Sequence, residues 1–431
     1  FNASWLKFDK FKYKGRAMSI NLDRLKALFS EINAINDANF GAGMSRLAYT
    51  REDKAARELF IARCKEAGLK VRIDAIGNIF ARREGAEPRQ SAVAFGSHLD
   101  TVINGGEFDG ILGVLGGLEL IRSLNDEGVQ TRRPLELIVF ECEESSRFNI
   151  ATLGSKVMCG KLGYEKLKDV RDFQGRAIGE IFAEFGIDPA NIEKAKNLTP
   201  NYESFFELHI EQGPLLYNEN IQIGVVSAIA APHRFSVRVQ GQAQHSGTTA
   251  MKYRHDALCA AAQIVLAVEH VAQENAVNGV VATAGNCTVK PGVMNVVPSE
   301  ATLLIDLRGI DLATREAAYE QILAEISRIE EERGVKCEIK QLAFDEPCAL
   351  DGRLIKLIAQ KAAALGLSFE IMPSGAGHDA MHMSALCPTA MIFIPSKDGI
   401  SHNPAEFSSW SDIANGVNLL KSVVLETAER V

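Results

Sequence analysis

The segment that decides the fold covers residues 91–144 and reads SAVAFGSHLDTVINGGEFDGILGVLGGLELIRSLNDEGVQTRRPLELIVFECEE. Its two ends, SAVAFGSHL and LELIVFECEE, are short apolar runs typical of buried strands. Between them, GVLGGLELIRSLNDEG has the 3.6-residue periodicity of a helix. Strand, helix and strand in this order predict parallel strands covered on both faces, because the helix returns the chain across the sheet. The segment therefore predicts an α/β sheet whose ligands gather at the carboxyl ends of its strands.

The same alternation extends outward from this segment in both directions. Further strands are predicted in VRIDAIGNIFARR (71–83) and FFELHIEQG (205–213). Beyond about residue 344 the pattern resumes with the helix GRLIKLIAQKAAALG and the strands SFEIMPSG and TAMIFIPS. A terminal helix is predicted from about Ser409 to Arg430. Two separate parts of the chain are therefore expected to build one α/β unit.

The middle of the chain, from about Ile223 to Phe344, has a different order of elements. Strands RFSVRVQG, GVVATAGNCTV, ATLLIDLRG and CEIKQLAF are interrupted by helices at about Tyr253–Asn275 and Leu312–Arg333. This β-α-β-β-α-β order is typical of a ferredoxin-like layer inserted into the first unit. We therefore predict a first catalytic part at 18–226, an inserted domain at 227–343 and a second catalytic part at 344–431. Hinges between them are expected near 223–230 and 340–346.

Composition excludes several classes of protein. The 431 residues suggest two or three packing units at about 150 residues each, and no apolar run is long enough to span a bilayer. A formal net charge of -8 without a long basic run argues against nucleic-acid binding. Eight scattered cysteines without a CxxC pair indicate reduced thiols and a cytoplasmic protein. Residues 1–17 lack an apolar signal region, so we expect an extra leader before a native start at Met18.

Four segments place His, Asp or Glu after a strand or in a glycine-rich turn. They are GSHLDTVINGGEFDG (96–110), ECEESSRF (141–148), ELHIEQG (207–213) and GISHNPAEF (399–407). A single histidine at a strand end is usually an ordinary polar residue, and acidic pairs usually face solvent. Chance explains poorly why all four segments share this placement. Imidazoles and carboxylates together suit Zn²⁺, Mn²⁺ or a similar divalent ion, so the segments predict a metal site.

The ordered motifs also carry a family resemblance. HLD, followed by FDG with its Asp eleven residues after the His, then CEES, HIEQG, SGAGHDA and ISHNPAE, resembles the M20 metallopeptidase-like amidohydrolases over about residues 22–425. The most similar branch is the hydantoinase/carbamoylase group, which contains N-carbamoyl-L-amino-acid hydrolases, β-ureidopropionases and allantoate amidohydrolases. This resemblance implies a di-metal α/β catalytic domain with a mixed sheet flanked by helices. It also implies that the inserted layer is a ferredoxin-like lid and dimerisation domain.

The resemblance implies a role for each motif residue at the metal site. Two divalent ions, Zn²⁺, Mn²⁺ or Co²⁺, would be held by a set in which Asp109 bridges both: His98, Asp109, Glu144, His209 and His402. Asp100 resembles a carboxylate that fixes the imidazole of His98. Glu143 resembles the general base beside the ligand Glu144. Two adjacent carboxylates are therefore expected to have different tasks.

The resemblance also implies substrate contacts from both domains: Gln212, His245, Asn295, Arg308, Gly377 and His378. Arg308 would clamp a substrate carboxylate with a bidentate pair. His245 resembles a histidine that the opposite subunit supplies to stabilise the developing oxyanion, so a homodimer is implied. Taken without the resemblance, Arg308 is equally a surface arginine, His245 a turn residue and His378 a brace for the helix that follows it.

Departures from the family pattern concern the substrate. SGTTAM after His245 lacks the proline usual before the methionine, and PHRF at 232–235 is also unusual. The leading prediction is hydrolysis of an N-carbamoyl amino acid or related ureido acid to the amino acid, CO₂ and ammonia. Alternatives are hydrolysis of other N-acyl amino acids, including aryl-acyl conjugates, or of allantoate, and a non-catalytic dimeric binding protein. An aminopeptidase is disfavoured because Gln212, Asn295 and Arg308 point to a free carboxylate.

Overall fold

The computed structural model describes residues 19–197 and 201–429, so the expected leader at 1–17 lies outside the described residues. The strands within the described part are β1 Lys70–Ile73, β2 Ile79–Arg83, β3 Ala92–His98, β4 Leu135–Phe140, β5 Tyr202–Ile210, β6 Ile223–Ile229, β7 Ala231–Gln240, β8 Gln244–His245, β9 Val281–Lys290, β10 Val296–Val297, β11 Glu300–Gly309, β12 Lys336–Phe344, β13 Cys348–Ala349, β14 Phe369–Ser374 and β15 Thr389–Ile394. The α-helices are α1 Leu22–Asn33, α2 Arg51–Glu66, α3 Ile111–Asp126, α4 Leu153–Met158, α5 Tyr164–Leu167, α6 Ile178–Glu184, α7 Leu215–Asn218, α8 Ala257–Asn275, α9 Leu312–Arg333, α10 Gly352–Ala364, α11 Ala380–Met383 and α12 Trp410–Glu429.

A nine-stranded mixed sheet organises the larger part of the chain. Its order is β1-β2-β4-β3-β5-β15-β6-β13, and β14 also pairs with β6. Strand β3 runs parallel to β4 and β5, whereas β2 and β6 run antiparallel to their neighbours β4 and β15. The predicted mixed α/β sheet flanked by helices is therefore confirmed.

The predicted strand at 71–83 is wrong as a single element, because β1 and β2 form an antiparallel hairpin across it. The carboxylate of Asp74 accepts hydrogen bonds from the backbone N–H groups of Ile76, Gly77 and Asn78. An aspartate that satisfies successive backbone donors stabilises a turn against an extended strand.

Helix α3 packs against the centre of the large sheet, and its glycines allow this close approach. A Cβ at Gly113 would lie 2.6 Å from the carbonyl oxygen of Leu208 in β5, and one at Gly117 2.7 Å from Leu137 in β4. The glycine-rich sequence of α3 thus costs helix propensity but lets the helix sit directly over β3, β4 and β5. Across the described residues, no helix combines the length and apolar character needed to cross a membrane.

A second, four-stranded antiparallel sheet has the order β12-β7-β11-β9. Strands β7 and β11 pair over ten residues, from Ala231 opposite Gly309 to Gln240 opposite Glu300. Alternate residues of β7 are buried, and these join α8 and α9 in a separate apolar cluster. The other sheet face has no such helical cover within the described residues, so Leu304 and Leu342 are exposed there.

The chain passes between the two sheets later than the sequence patterns suggested. Residues 223–229 form β6, which is buried and pairs with β14 and β15, so the expected hinge at 223–230 falls mainly within a core strand. The crossing residue is Ala230, three residues beyond the expected domain boundary at 227. The guanidinium of Arg315 donates to the carbonyl oxygens of Ala231 (2.9 Å) and Asp345 (2.7 Å). A single fully buried arginine therefore ties the outgoing and returning chains together.

Candidate metal centre

The four motif segments meet at one edge of the large sheet. His98 ends β3, Glu143 and Glu144 follow β4, His209 lies near the end of β5, and His402 lies in the loop after β15. Because β3, β4, β5 and β15 are mutually parallel, their carboxyl ends lie together, as expected for an α/β ligand site. All five side chains line a cavity of about 430 Å³.

The carboxylate of Asp109 lies between two groups of ligand-type atoms. Its Oδ1 is 3.7 Å from Nε2 of His98 and 3.1 Å from Nε2 of His209. Its Oδ2 is 3.1 Å from Nε2 of His402, and that nitrogen is 3.3 Å from Oε1 of Glu144. Within each of these two groups the ligand atoms lie within 4.8 Å of one another. One carboxylate thus contributes an oxygen to each of two neighbouring groups of candidate ligand atoms.

The histidine tautomers suit metal binding. Nδ1 of His98 is 2.9 Å from the carbonyl oxygen of Asp100, and Nδ1 of His209 is 2.9 Å from the carbonyl oxygen of Ile210. A carbonyl oxygen only accepts, so each Nδ1 carries a proton, and each Nε2, which faces Asp109, is the nitrogen available to a metal ion. Neutral imidazole nitrogens and carboxylate oxygens are ligands for borderline divalent metals. The residues present therefore fit divalent metal ions.

Asp100 supports the site differently from the expectation. It is the backbone oxygen of Asp100 that accepts from His98, whereas its carboxylate lies 3.7 Å from the same nitrogen. The carboxylate instead accepts the backbone N–H groups of Glu143 (3.2 Å) and Glu144 (3.0 Å). Cys142, directly before them, has a positive φ of 54°, so the chain turns sharply after β4. Asp100 therefore holds the turn that presents the two glutamates.

The electrostatics of the cluster show crowded negative charge. Burial and then the neighbouring Glu144 raise the pKa of Glu143 well above its usual value. Burial opposes ionisation of Asp109, but hydrogen bonds from His209 and His402 hold its pKa well below the usual value. Burial alone would lower the pKa of His209, yet the hydrogen bond to Asp109 raises it to about 9. The hydrogen bond to Asp109 likewise raises the pKa of His402 to about 11. Hydrogen bonds from His209 and His402 therefore offset part of the negative charge that gathers around Asp109.

Glu406 is a supporting residue that the sequence patterns did not single out. Its Oε1 accepts the N–H groups of Phe108 (3.0 Å) and Asp109 (3.1 Å). Its Oε2 is 2.8 Å from Oγ of Ser401, which also lies 3.1 Å from Oδ2 of Asp109. A Cβ at Gly106 would lie 2.1 Å from the Glu406 carboxyl carbon, so a larger residue at position 106 would displace this carboxylate. The ISHNPAE motif contains Glu406, but only the fold places it behind Asp109.

Four of the six expected substrate residues line the same cavity: Gln212, Arg308, Gly377 and His378. Nε2 of Gln212 donates to Oδ2 of Asp109 at 2.8 Å. His378 is buried, its Nε2 is 2.9 Å from Oγ of Ser374, and burial lowers its pKa well below the usual value. His378 also stacks edge-on against His209, with ring centroids 4.6 Å apart. It thus acts both as part of the cavity wall and as a brace for a candidate ligand.

Arg308 lines the cavity, but the pair of donors that could clamp a carboxylate, Nε and Nη2, already binds another residue. Nε and Nη2 donate to Asp306 at 3.2 and 3.1 Å, and Nη1 donates to the carbonyl oxygen of Gly375 at 2.9 Å. Asp306 faces Arg234 across the β7–β11 pair and also receives a hydrogen bond from it. Arg234 lines the cavity too, although the sequence patterns did not identify it as a site residue.

His245 and Asn295 lie elsewhere in this chain. His245 is exposed in β8, which pairs with β10, and Asn295 directly precedes β10. The backbone N–H of Ser246 donates to the carbonyl oxygen of Asn295 at 3.1 Å, so the two residues are close neighbours. Neither is among the residues that line the cavity in the described part of the chain. The structure therefore brings them to each other but not to the candidate metal centre of the same chain.

Comparisons with known proteins agree with this geometry. Residues 94–426 match the model of peptidase family M20/M25/M40. The chain is 52% identical to an uncharacterised hydrolase of Haemophilus influenzae over 412 residues, covering 96% of this chain and all of the relative. It is 36% identical to an N-carbamoyl-L-amino acid amidohydrolase of Geobacillus stearothermophilus, covering 94% of this chain and 98% of the relative. A hydantoinase/carbamoylase family amidase of Burkholderia multivorans has a similar structure, with a TM-score of 0.88 at 35% identity, covering 96% of this chain and 100% of that one.

Proposed function

Because the chain belongs to peptidase family M20/M25/M40, we propose that it is a metal-dependent amidohydrolase that cleaves the ureido C–N bond of an N-carbamoyl amino acid or a related ureido acid. One water is consumed, the amino acid leaves, and the carbamate decomposes to CO₂ and ammonia. The observation that carries the proposal is the placement of Asp109 between two ligand groups with Glu143 beside them. Because Glu143 belongs to neither of the two groups around Asp109, its carboxylate can accept and release a proton.

The residues that would hold two divalent ions are His98, His209 and Asp109 on one side and Glu144, His402 and Asp109 on the other. Zn²⁺, Mn²⁺ or Co²⁺ bound there supplies positive charge that polarises a carbonyl group and lowers the pKa of water. Gln212 and Ser401 hydrogen bond to Oδ2 of Asp109 and hold that oxygen in place.

Glu143 is the proposed general base. Its Oε2 lies 3.8 Å from Nε2 of His98, and its side chain lines the cavity together with the candidate ligands. Asp100 binds its backbone N–H, and the backbone N–H of Thr152 donates to its carbonyl oxygen at 2.6 Å, so its position is fixed from both sides. From there Glu143 takes the proton of the attacking water and returns it to the departing nitrogen.

We further propose that the four-stranded layer of β7, β9, β11 and β12 is an inserted lid and dimerisation domain. His245 and Asn295 support this, because they are exposed and lie outside the cavity of their own chain. In a homodimer, His245 of one protomer would reach the cavity of the other and donate to the developing oxyanion. Closure would bend the chain near Ala230 and Asp345, where it passes between the sheets.

A substrate panel tests the proposed reaction. Purified protein is assayed with N-carbamoyl amino acids, allantoate and N-acyl amino acids, including aryl-acyl conjugates, after addition of Zn²⁺, Mn²⁺ or Co²⁺. We expect turnover of at least one N-carbamoyl amino acid with release of ammonia. Exclusive turnover of N-acyl amino acids would keep the metal centre but overturn the ureido assignment, and binding without turnover of any compound would indicate a non-catalytic protein.

Substitution of the base tests the mechanism. Glu143→Gln should abolish turnover and leave the metal content near normal, because Glu143 belongs to neither group around Asp109, although its carboxylate also lies within ligand distance of His98 and Glu144. Retained activity in this variant would refute the role of Glu143. Loss of metal together with activity would instead show that Glu143 is a ligand.

Complementation tests the shared site. His245→Ala should lose most activity, and subunit exchange with the Glu143→Gln variant should restore part of it. In a mixed dimer, one cavity would contain Glu143 of the first variant and receive His245 from the second. No recovery on mixing, with exchange verified by a mass tag, would eliminate the contribution of His245 from a second protomer.

A further inference from the structure

Arg234 presents unused hydrogen-bond donors to the cavity. Its Nε donates to Oδ2 of Asp306 at 3.1 Å, whereas neither of its Nη atoms has a hydrogen-bond partner among the described residues. Its side chain is 43% exposed. Residues of β7 alternate between the helix-covered face and the other face, and Arg234 belongs to the other one. It therefore lines the cavity that contains the metal centre, as well as the groove along the open sheet face.

Asp306 joins Arg234 to Arg308. Nε of Arg234 and Nη2 of Arg308 both lie 3.1 Å from the same oxygen, Oδ2 of Asp306, so these two donor nitrogens are at most about 6.2 Å apart. Arg308 has all three nitrogens engaged, by Asp306 and Gly375. A carboxylate approaching the pair therefore finds its most available paired donors on the Nη atoms of Arg234.

The charge balance favours one anion at this place. Two guanidinium groups share one carboxylate, which leaves one positive charge in excess on the set Arg234, Asp306 and Arg308. The other cation lining the cavity away from the metal ligands, Lys156, is already paired with Asp345 at 3.2 Å. Leu342 and Phe344 form apolar wall nearby, and reduced access of water strengthens a charge-assisted hydrogen bond.

We propose that Arg234 is a specificity-determining residue that receives the substrate carboxylate, with Arg308 as the second guanidinium and Asp306 as the group that holds the two arginines together. This inference rests on the proposed function, because it assigns the free carboxylate of a ureido acid to a place in the cavity. The role expected for Arg308 changes accordingly. Its Nε and Nη2 donate to Asp306, so only its remaining Nη hydrogens are available to the substrate. The set takes a substrate with one carboxylate and discriminates against its neutral amide.

The test compares N-carbamoylglycine with its carboxamide, which has the same shape and no charge, on the wild type and on Arg234→Gln. We expect the preference of kcat/KM for the carboxylate to fall about 10- to 100-fold in the variant, as for the loss of a hydrogen bond between charged groups. The change should lie mainly in KM, because the carboxylate is bound equally in the ground state and the transition state. Arg234→Lys should recover part of the preference, since it keeps the charge but not the two parallel donors.

Arg238→Gln is the matched control. Arg238 lies four residues further along β7 on the same face, is 47% exposed, pairs with Glu300 and Glu338, and is not among the residues lining the cavity. An equal loss of carboxylate preference in both variants, or no loss in Arg234→Gln, overturns the role of Arg234. A general loss of folding would show in both substrates equally, and thermal unfolding of each variant identifies it.

Binding separates this inference from the reaction. Calorimetric titration of Glu143→Gln protein, with and without Arg234→Gln, measures the affinity for N-carbamoylglycine and its carboxamide independently of turnover. If the wild type turns over no ureido acid but the carboxylate preference in binding depends on Arg234, the proposed reaction fails and the carboxylate site stands. If turnover is found and the preference in binding does not depend on Arg234, or no preference exists, the reaction stands and the carboxylate site fails.

Discussion

Removal of the Glu406 side chain should weaken metal binding although Glu406 is not a candidate ligand. The carboxylate accepts the N–H groups of Phe108 and Asp109 and contacts the hydroxyl of Ser401, which in turn reaches Asp109. Glu406→Ala therefore removes the acceptor that holds the backbone of Phe108 and Asp109. It also removes the contact that positions Ser401 against Oδ2 of Asp109. Glu406→Gln keeps an amide oxygen in the same place and is the milder change.

The size of the effect follows from these contacts. Two buried N–H groups lose their acceptor in Glu406→Ala, and each unsatisfied buried group costs about 1–3 kcal/mol, so about 2–6 kcal/mol is an upper range before water enters the space. Partners that orient a ligand typically contribute about 10- to 100-fold to metal affinity or activity. We expect a decrease of that size for Glu406→Ala and less than about tenfold for Glu406→Gln, which keeps the acceptor.

The assay is competition between the protein and a chelator for Zn²⁺ and for Mn²⁺, with metal content measured by mass spectrometry and folding by thermal unfolding. Asn403→Ala is the control, because Asn403 lies in the same loop but is exposed, and its side chain accepts the N–H of Ala405 without contacting Asp109. Its backbone carbonyl, which accepts the N–H of Glu406, is kept in this variant. Metal affinity of Glu406→Ala within about twofold of the control, in folded protein, would refute the claim that Glu406 positions Asp109.

Three further predictions concern the thiols, the central strand and the crossing between the sheets. Burial raises the pKa of Cys64, Cys159 and Cys387 to about 12, so at pH 8 only about one in 10⁴ of these thiols is ionised. Alkylation followed by mass spectrometry should therefore label exposed Cys287 first and label the three buried thiols slowly even at pH 9, where the thiolate fraction is larger. Equal rates of alkylation in folded protein would contradict this prediction. Gly96→Ala should lower the free energy of unfolding, measured by denaturant titration, by about 3 kcal/mol or more, because the new Cβ would lie 1.8 Å from the carbonyl oxygen of Ile138. Gly352→Ala is the control and should have little effect, because the space around Gly352 is open. Similar values for both variants would be inconsistent with the packing of β3 on β4. Arg315→Met should lower the free energy of unfolding by about 2–4 kcal/mol and speed proteolysis near Ala230 and Asp345, because one buried and one partly buried carbonyl group lose their donor. Arg328→Met, at an exposed position, should change the free energy of unfolding by less than about 1 kcal/mol. Protection from proteolysis equal to this control would argue against a structural role for Arg315 at the crossing.

Local sequence patterns predicted much of the secondary structure. The terminal bounds of α9, Leu312–Arg333, agree with the prediction, and β3 and β15 agree within two residues at each end. These elements have either an uninterrupted helical period or a continuous apolar run with turn residues at its ends, so their local propensity and burial agree. Helices α4, α5 and α6 were not predicted, because they are only four to seven residues long and depend on packing in a shared apolar cluster.

Strand β6 shows how tertiary pairing overrides a local interpretation. Residues 223–229 precede a change in the order of elements, which suggested a hinge. In the fold this segment is flanked by β14 and β15 in the large sheet, and those partners come about 150 residues later in the chain. Pairing with such distant strands leaves no local signal beyond the apolar composition that a buried connection would share.

The sequence by itself determined the chemical identity of the site: imidazoles and carboxylates at the ends of strands, in motifs typical of one hydrolase family. Tertiary structure alone decided which oxygen of Asp109 faces which histidine, and that the carboxylate of Asp100 binds the backbone of Glu143 and Glu144 instead of the ring of His98. It also placed Glu406 behind Asp109 and Arg234 beside Arg308. The physical reason is that residue type sets what a side chain can bind, whereas the direction and partner of each hydrogen bond depend on elements that lie far apart in the sequence and meet only when the sheets form.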